Sequence, residues 1–175
     1  MDRLLYFAYG SNLYSPRLRF RVPTCRVVMT ASLPDHRLVF HKRSIDGSAK
    51  CDAIADPGQE TLGVIYEIDI TELRNLRDAE GVRNGYEECT VSVRNSQGAG
   101  ISCLSYLAAS SHIDATLLPY TWYRDFVLWG CREHGFLDAY LSQFILAVRS
   151  IKDPQPSREL QRRAEVKGDP INTLS

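Results

Sequence analysis

The chain carries no surplus of charge. Its 175 residues hold 21 Lys and Arg against 21 Asp and Glu. That balance leaves no basic surface broad enough to track a nucleic-acid backbone, and none of the usual nucleic-acid motifs occurs. No apolar run approaches the ~20 residues that a membrane-spanning helix needs. No Cys-x-x-Cys pair exists: Cys25, Cys51, Cys89, Cys103 and Cys131 are odd in number and widely spaced. Nothing ahead of the first apolar segment reads as a cationic leader with an apolar core. Internal repeats and low-complexity blocks are missing too. These absences exclude nucleic-acid and membrane partners. The expectation is a cytoplasmic protein with reduced thiols, long enough for one domain with a sizeable core.

What is present is a mixture of short strands and a few helices. Leu38 and Phe40 share a face in Arg37 to His41. Leu62, Val64, Tyr66 and Ile68 alternate with Glu67 and Asp69, a period of two. Cys89, Val91 and Val93 alternate with Thr90, Ser92 and Arg94; the turn residues 95–100 and a returning strand to Ala108 complete a predicted hairpin. Thr71 is expected to cap a short helix through Ala79, ended by Gly81. Pro119 is expected in the first turn of a helix running to about His134, with Gly135 just past its end. Trp122, Phe126 and Trp129 form an apolar stripe that reads as core. Tyr140, Leu141, Phe144, Ile145 and Val148 recur at helical spacing. After residue 150 apolar density falls, so residues 1–150 are read as the catalytic domain. Residues 151–175 are read as an extension, partly helical or frayed, with Gly168 to Ser175 weakly ordered. The missing strand-helix alternation argues for α+β.

Cys131 and His134 can share a helix face, but a zinc site usually needs three or four ligands. They are read as a half-buried thiol and a helix-end histidine, with no metal and no cofactor expected.

The chemistry concentrates near the start, in Leu5-Tyr6-Phe7-Ala8-Tyr9-Gly10-Ser11-Asn12-Leu13. An apolar strand runs into Gly-Ser-Asn. Glycine admits close approach of a ligand to the backbone, and successive N–H groups in such a turn make an anion-binding concavity. Alone, this is also how an ordinary strand-to-loop turn looks. A second segment, Leu73 to Tyr86, contains Glu80-Gly81-Val82. A third, Tyr123 to Gly135, ends in Gly130-Cys131-Arg132-Glu133-His134-Gly135.

Taken in order over about residues 4–150, these segments resemble the γ-glutamylcyclotransferase family. The resemblance implies a small, mainly antiparallel β-barrel with helices packed outside it and a pocket at one mouth. It implies an enzyme that converts a γ-glutamyl amino acid, peptide or amine to 5-oxoproline and the free amine, by attack of the substrate's own α-amine on the γ-carbonyl. That intramolecular cyclisation, of lyase or acyltransferase type and akin to the reactions of glutathione metabolism, needs no metal and no protein nucleophile. The resemblance makes Glu80 the general acid/base and places Tyr6, Phe7, Ala8, Tyr9, Gly10, Ser11 and Tyr123 at the substrate. Glu80 also ends a predicted helix, whose negative pole disfavours an ionised carboxylate and favours a proton carrier. Asn12 is read as fixing the loop. The chain departs from the family at one point: the aromatic that relatives place one residue later is Tyr86 here, followed by Glu87.

Glu87 and Glu88 are the next acid candidates, read more simply as a strand start. A non-catalytic module of the same fold that binds a small metabolite is the alternative reading. A cysteine enzyme built on Cys25 or Cys51 with His36 or His41 finds no support in the spacing. The partner is a small-molecule γ-glutamyl substrate, the identity of the leaving amine is open, and a homodimer is an open assembly state.

Overall fold

A computed structural model of the chain describes residues 2–82 and 84–166. Five strands close into a barrel in the order β1-β3-β2-β4-β5. They are β1 (Arg3–Ala8), β2 (Arg26–Arg43), β3 (Ala49–Asp69), β4 (Tyr86–Arg94) and β5 (Gly100–Ala108). Every pairing is antiparallel except the closure, where Tyr6 of β1 runs parallel to Leu104 of β5. The expected α+β barrel with outer helices is therefore observed.

β2 and β3 form one long hairpin. The sequence shows only parts of it, because Pro34 and Asp56-Pro57-Gly58 read as turns. Both are accommodated as irregularities: the register jumps between Pro34 and His36, and residues 56–59 bulge out opposite. Asp35 takes a left-handed φ of 55°, Gly58 one of 83°, and the Asp35 carboxylate accepts the Gly58 N–H at 3.0 Å. Bulges of this kind bend long strands, as a small closed barrel requires. The expected β4–β5 hairpin forms, with Tyr86 opposite Ala108 through Arg94 opposite Gly100.

The helices are α1 (Ser15–Arg21), α2 (Leu73–Glu80), α3 (Thr121–Glu133), α4 (Asp138–Leu141) and α5 (Pro156–Ala164). Several sequence expectations are corrected. Asp69, not Thr71, caps the turn that leads into α2, accepting the Thr71 N–H at 2.9 Å. Tyr120 caps α3, so Pro119 lies before the helix and not in its first turn. The apolar spacing after Tyr140 gives the four-residue α4 and a π-turn over Ser142–Leu146 in place of one continuous helix. Cys131 is fully buried, not half-buried.

Trp122 and Phe126 lie in the core with Phe7, Val64, Ile65 and Tyr66, and Trp129 packs against it. Part of the extension is docked. Arg163 of α5 bonds Asp125 of α3 at 2.7 Å, and Asp153 accepts both the Trp122 indole N–H (2.9 Å) and Arg158 (2.6 Å). The expected weak order of Gly168 to Ser175 lies outside the described residues. No described helix is long and apolar enough to cross a membrane.

Candidate active site

The site forms where β1 leaves the barrel. Gly10 caps a single 3₁₀ turn over Ser11–Leu13, closed by the Leu13 N–H on the Gly10 carbonyl at 2.9 Å. Gly10 is needed for space and not for a left-handed backbone, its φ being −104°. A Cβ there would stand 3.2 Å from Cys51 Cβ and 3.3 Å from the Tyr123 hydroxyl. The turn is held from behind by α3. At Gly130 the helix approaches so closely that a Cβ would sit 2.4 Å from Leu13 Cβ and 2.6 Å from the Tyr14 nitrogen. The third sequence segment thus acts through its glycine, and His134 adds a hydrogen bond to the Leu13 carbonyl at 2.9 Å.

Glu80 arrives from the other side of the barrel mouth. It is the last residue of α2, and Gly81 ends the helix there in the left-handed conformation (φ 67°, ψ 48°). Leu76 anchors the helix in the core. Arg77 clamps it to β4 through two bonds to Glu88, at 2.6 and 2.7 Å. Glu88 is therefore engaged, its carboxyl held below the usual range chiefly by Arg77, while Glu87 faces solvent.

At the centre, Glu80 Oε1 accepts the Tyr6 hydroxyl at 2.9 Å and a short bond from Asn12 Nδ2. Arg21 donates to the other end of the Asn12 amide at 2.8 Å. Burial, then the adjacent Glu80 charge, raise the Tyr6 phenol well above its ordinary range, so it stays a neutral donor. Two donors on one oxygen fix the carboxylate and leave Oε2 without a hydrogen bond among the described residues.

A small cavity lies against this carboxylate, walled by Tyr6, Tyr9, Gly10, Tyr86, Tyr106 and Tyr123. Burial raises the phenols of Tyr9, Tyr86 and Tyr123 as well, which makes a ring of neutral hydroxyls. Tyr86 bonds the Cys51 carbonyl, Tyr9 donates to the Tyr106 carbonyl at 2.5 Å, and the Tyr123 hydroxyl accepts the Cys51 N–H at 3.1 Å. A second cavity, the outer lobe, is lined by Arg17, Arg21, Lys42 and Lys50 and shares Ser11, Glu80, Tyr86 and Tyr123 with the first. A wider groove outside α2, along Arg74, Arg77 and Asp78, holds none of these convergent groups.

Of the residues singled out in the sequence, Tyr6, Tyr9, Gly10, Ser11, Tyr123 and Glu80 come together at the cavity. Phe7 and Ala8 do not line it. Phe7 is core, its ring filling the space beside Gly63, and its carbonyl accepts Ser105 Oγ at 3.0 Å. Asn12 touches Glu80 directly and is more than a loop brace. Tyr86 points inward, the departure from the family notwithstanding. Tyr106 and the four basic residues were not singled out in the sequence, and Cys51 was weighed only as a nucleophile; Lys50 and Cys51 lie on a strand, at 49–55, that was not legible.

The cysteine pairings dissolve. The Cys51 thiol is raised far above its ordinary range by burial and that of Cys25 is pushed up to about 11, while His41 is engaged by Asp52 at 2.8 Å. Among the described residues no three His, Cys, Asp or Glu side chains gather as metal ligands.

Residues 60–144 match the AIG2-like family. A human γ-glutamylcyclotransferase is 31% identical over 140 residues, covering 77% of this chain and 73% of its own length. The chain belongs to the γ-glutamylcyclotransferase family. The mouse γ-glutamylcyclotransferase is 29% identical over 145 residues, 79% of this chain and 76% of that one. A solved γ-glutamyl cyclotransferase structure superposes with a TM-score of 0.81 at 26% identity, covering 93% of this chain and 99% of that one. Family membership accounts for the barrel and for the enzyme class that the sequence motifs imply.

Proposed function

We propose that this γ-glutamylcyclotransferase-family chain converts a γ-glutamyl compound to 5-oxoproline and a free amine, with Glu80 as the proton carrier. The observation that carries the reading is the Glu80 carboxylate, held by Tyr6 and Asn12 through one oxygen only, at the wall of a cavity ringed by neutral phenols.

The substrate's α-amine attacks its own γ-carbonyl carbon, and a new C–N bond closes a five-membered ring. Holding the chain folded for that attack is a proximity effect worth up to roughly 7–11 kcal/mol. Glu80 takes the proton that the amine sheds and delivers it to the leaving nitrogen as the old C–N bond breaks. The phenols exclude water and supply donors. The Gly10 and Ser11 N–H groups, on residues that line the cavity, are the donors assigned to a carboxylate or the developing oxyanion. No cofactor and no thiol enters this scheme. The reading is of a cytoplasmic enzyme of γ-glutamyl and glutathione metabolism. Five cysteines that are all unpaired support the compartment.

The test is a panel of γ-glutamyl dipeptides, glutathione and γ-glutamylamines, with 5-oxoproline as the readout. Saturable release from at least one member is expected. Calorimetric binding of 5-oxoproline with no turnover of any member would favour the non-catalytic binding module instead.

A further inference from the structure

The C-terminal segment is fastened to the barrel's outer helices by three carboxylates. Asp153 accepts the Trp122 indole N–H at the start of α3. Asp125 of α3 takes Arg163 of α5. The third fastening reaches further. Glu165, just past α5, meets Arg17 of α1, with Oε2 3.3 Å from Nη1. The two residues are 148 apart in sequence. Both side chains are buried, Arg17 at 4% and Glu165 at 7% exposure. Arg162 holds the other Glu165 oxygen at 2.7 Å.

Arg17 does not end at this pair. Its guanidinium lies 4.6 Å from the centre of the Phe126 ring, and its Nε donates to Ser11 Oγ at 3.1 Å. Ser11 belongs to the 3₁₀ turn that lines the cavity at Glu80. One planar group therefore ties the C-terminal segment to the site turn, and its rigid fork fixes the angle between the two bonds. Burial and the neighbouring Arg21 hold the guanidinium well below its ordinary range, and Glu165 is the carboxylate that opposes them. Take Glu165 away, and Arg17 is left as a buried charge beside Arg21 and Arg162. Removing one partner of a buried pair is the change such pairs tolerate least. The guanidinium then relieves its position by turning away, and the Ser11 hydroxyl is released.

We infer that Glu165 is a positioning residue for the cyclisation: through Arg17 it fixes Ser11, so that residues 151–166 complete the active site. The assignment rests on the cyclotransferase reading of the site and goes beyond it, to what the C-terminal segment does for the chemistry.

The substrate for the test is the γ-glutamyl compound of the panel above that the unaltered protein turns over fastest, assayed well below every melting midpoint. Glu165→Gln keeps the side chain's length and withdraws its charge. It should lower kcat/KM on the order of 10–100-fold, the scale of a small misplacement in a site. Arg163→Met breaks the neighbouring fastening, to Asp125 and Glu159, away from the site turn. It should lower the thermal midpoint and leave kcat/KM at the parent value. Ser11→Ala removes the hydroxyl that Arg17 holds, so adding Glu165→Gln to it should cost little more, the mark of coupled positions. Should Glu165→Gln fail to melt cooperatively, Glu165→Asp, whose charge stops one methylene short of Arg17, carries the same comparisons. A folded Glu165 variant with the parent's kcat/KM overturns the assignment. So does an equal loss in Arg163→Met, or full additivity with Ser11→Ala, since Glu165 would then act on the fold alone. An unaltered protein that turns over no γ-glutamyl compound would instead sink the enzyme reading itself, and this assignment with it.

Discussion

Glu80 is positioned by Tyr6, 74 residues away in sequence, and by Asn12, 68 residues away. Replacing it by Gln keeps the shape and removes the carboxylate proposed as the proton carrier. Glu80→Gln should therefore lower kcat on the order of 10²–10⁴-fold with an unchanged thermal midpoint; a variant that releases 5-oxoproline at the parent rate would dispose of the mechanism. Gly10 is the second sensitive point. A valine there meets Cys51 Cβ and the Tyr123 hydroxyl at once. Gly10→Val should lose calorimetric binding of 5-oxoproline more completely than it loses the cooperative melt, and retained affinity in the folded variant would make the turn purely structural. At this scale the sequence was informative where chemistry and backbone coincide, in Tyr6, Gly10, Ser11 and Glu80. It was silent on Lys42, Lys50 and Tyr106, since a lysine in a strand reads as a solvated face until the barrel's curvature turns it inward.

Among the elements, α3 is the one that sets the site loop, through the close approach at Gly130. Alanine in a helix interior normally gains about 1 kcal/mol over glycine. Here the added methyl would press on Leu13 Cβ and the Tyr14 backbone nitrogen, neither of which can swing aside, and overpacking of that kind costs about 1–3 kcal/mol. Gly130→Ala should lower both the thermal midpoint and kcat. A raised midpoint would mean that helix and turn are not in register as described. The β4–β5 hairpin was legible because its alternation and its turn agree. The β2–β3 hairpin was not, because Pro34 and Asp56-Pro57-Gly58 are turn chemistry placed at bends inside strands of 18 and 21 residues. The π-turn after α4 escaped for a related reason: the spacing of Tyr140, Phe144 and Ile145 satisfies a regular helix and a widened one alike.

For the molecule as a whole, the C-terminal segment is fastened by Asp153. Burial opposes its charge, but hydrogen bonds from Arg158, the Gln155 N–H and the Trp122 indole outweigh burial and hold the carboxyl at about 2. A depressed carboxylate contributes stability that is fully present above its unfolded value of about 4 and is lost as pH falls through about 2. The gap in thermal midpoint between the parent and Asp153→Asn should thus be widest above pH 4 and close toward pH 2; a gap independent of pH would show that the fastening is not ionic. The barrel itself was not legible from pattern, since closure joins strands far apart in the chain and leaves no local trace. That same closure governs how the protein is born. β1 is made first, yet its partner Leu104 emerges about a hundred residues later. Until then β1 is paired on one edge only, with β3 through Phe7 opposite Ile65, and no fragment lacking β5 can assemble a working mouth. Long-range pairing of this kind is slow to form and exposed while it waits. Recovery of activity on refolding should accordingly keep pace with the burial of Trp122 and never run ahead of it, and the nascent chain should depend on whatever shields its first strand on the way out of the ribosome.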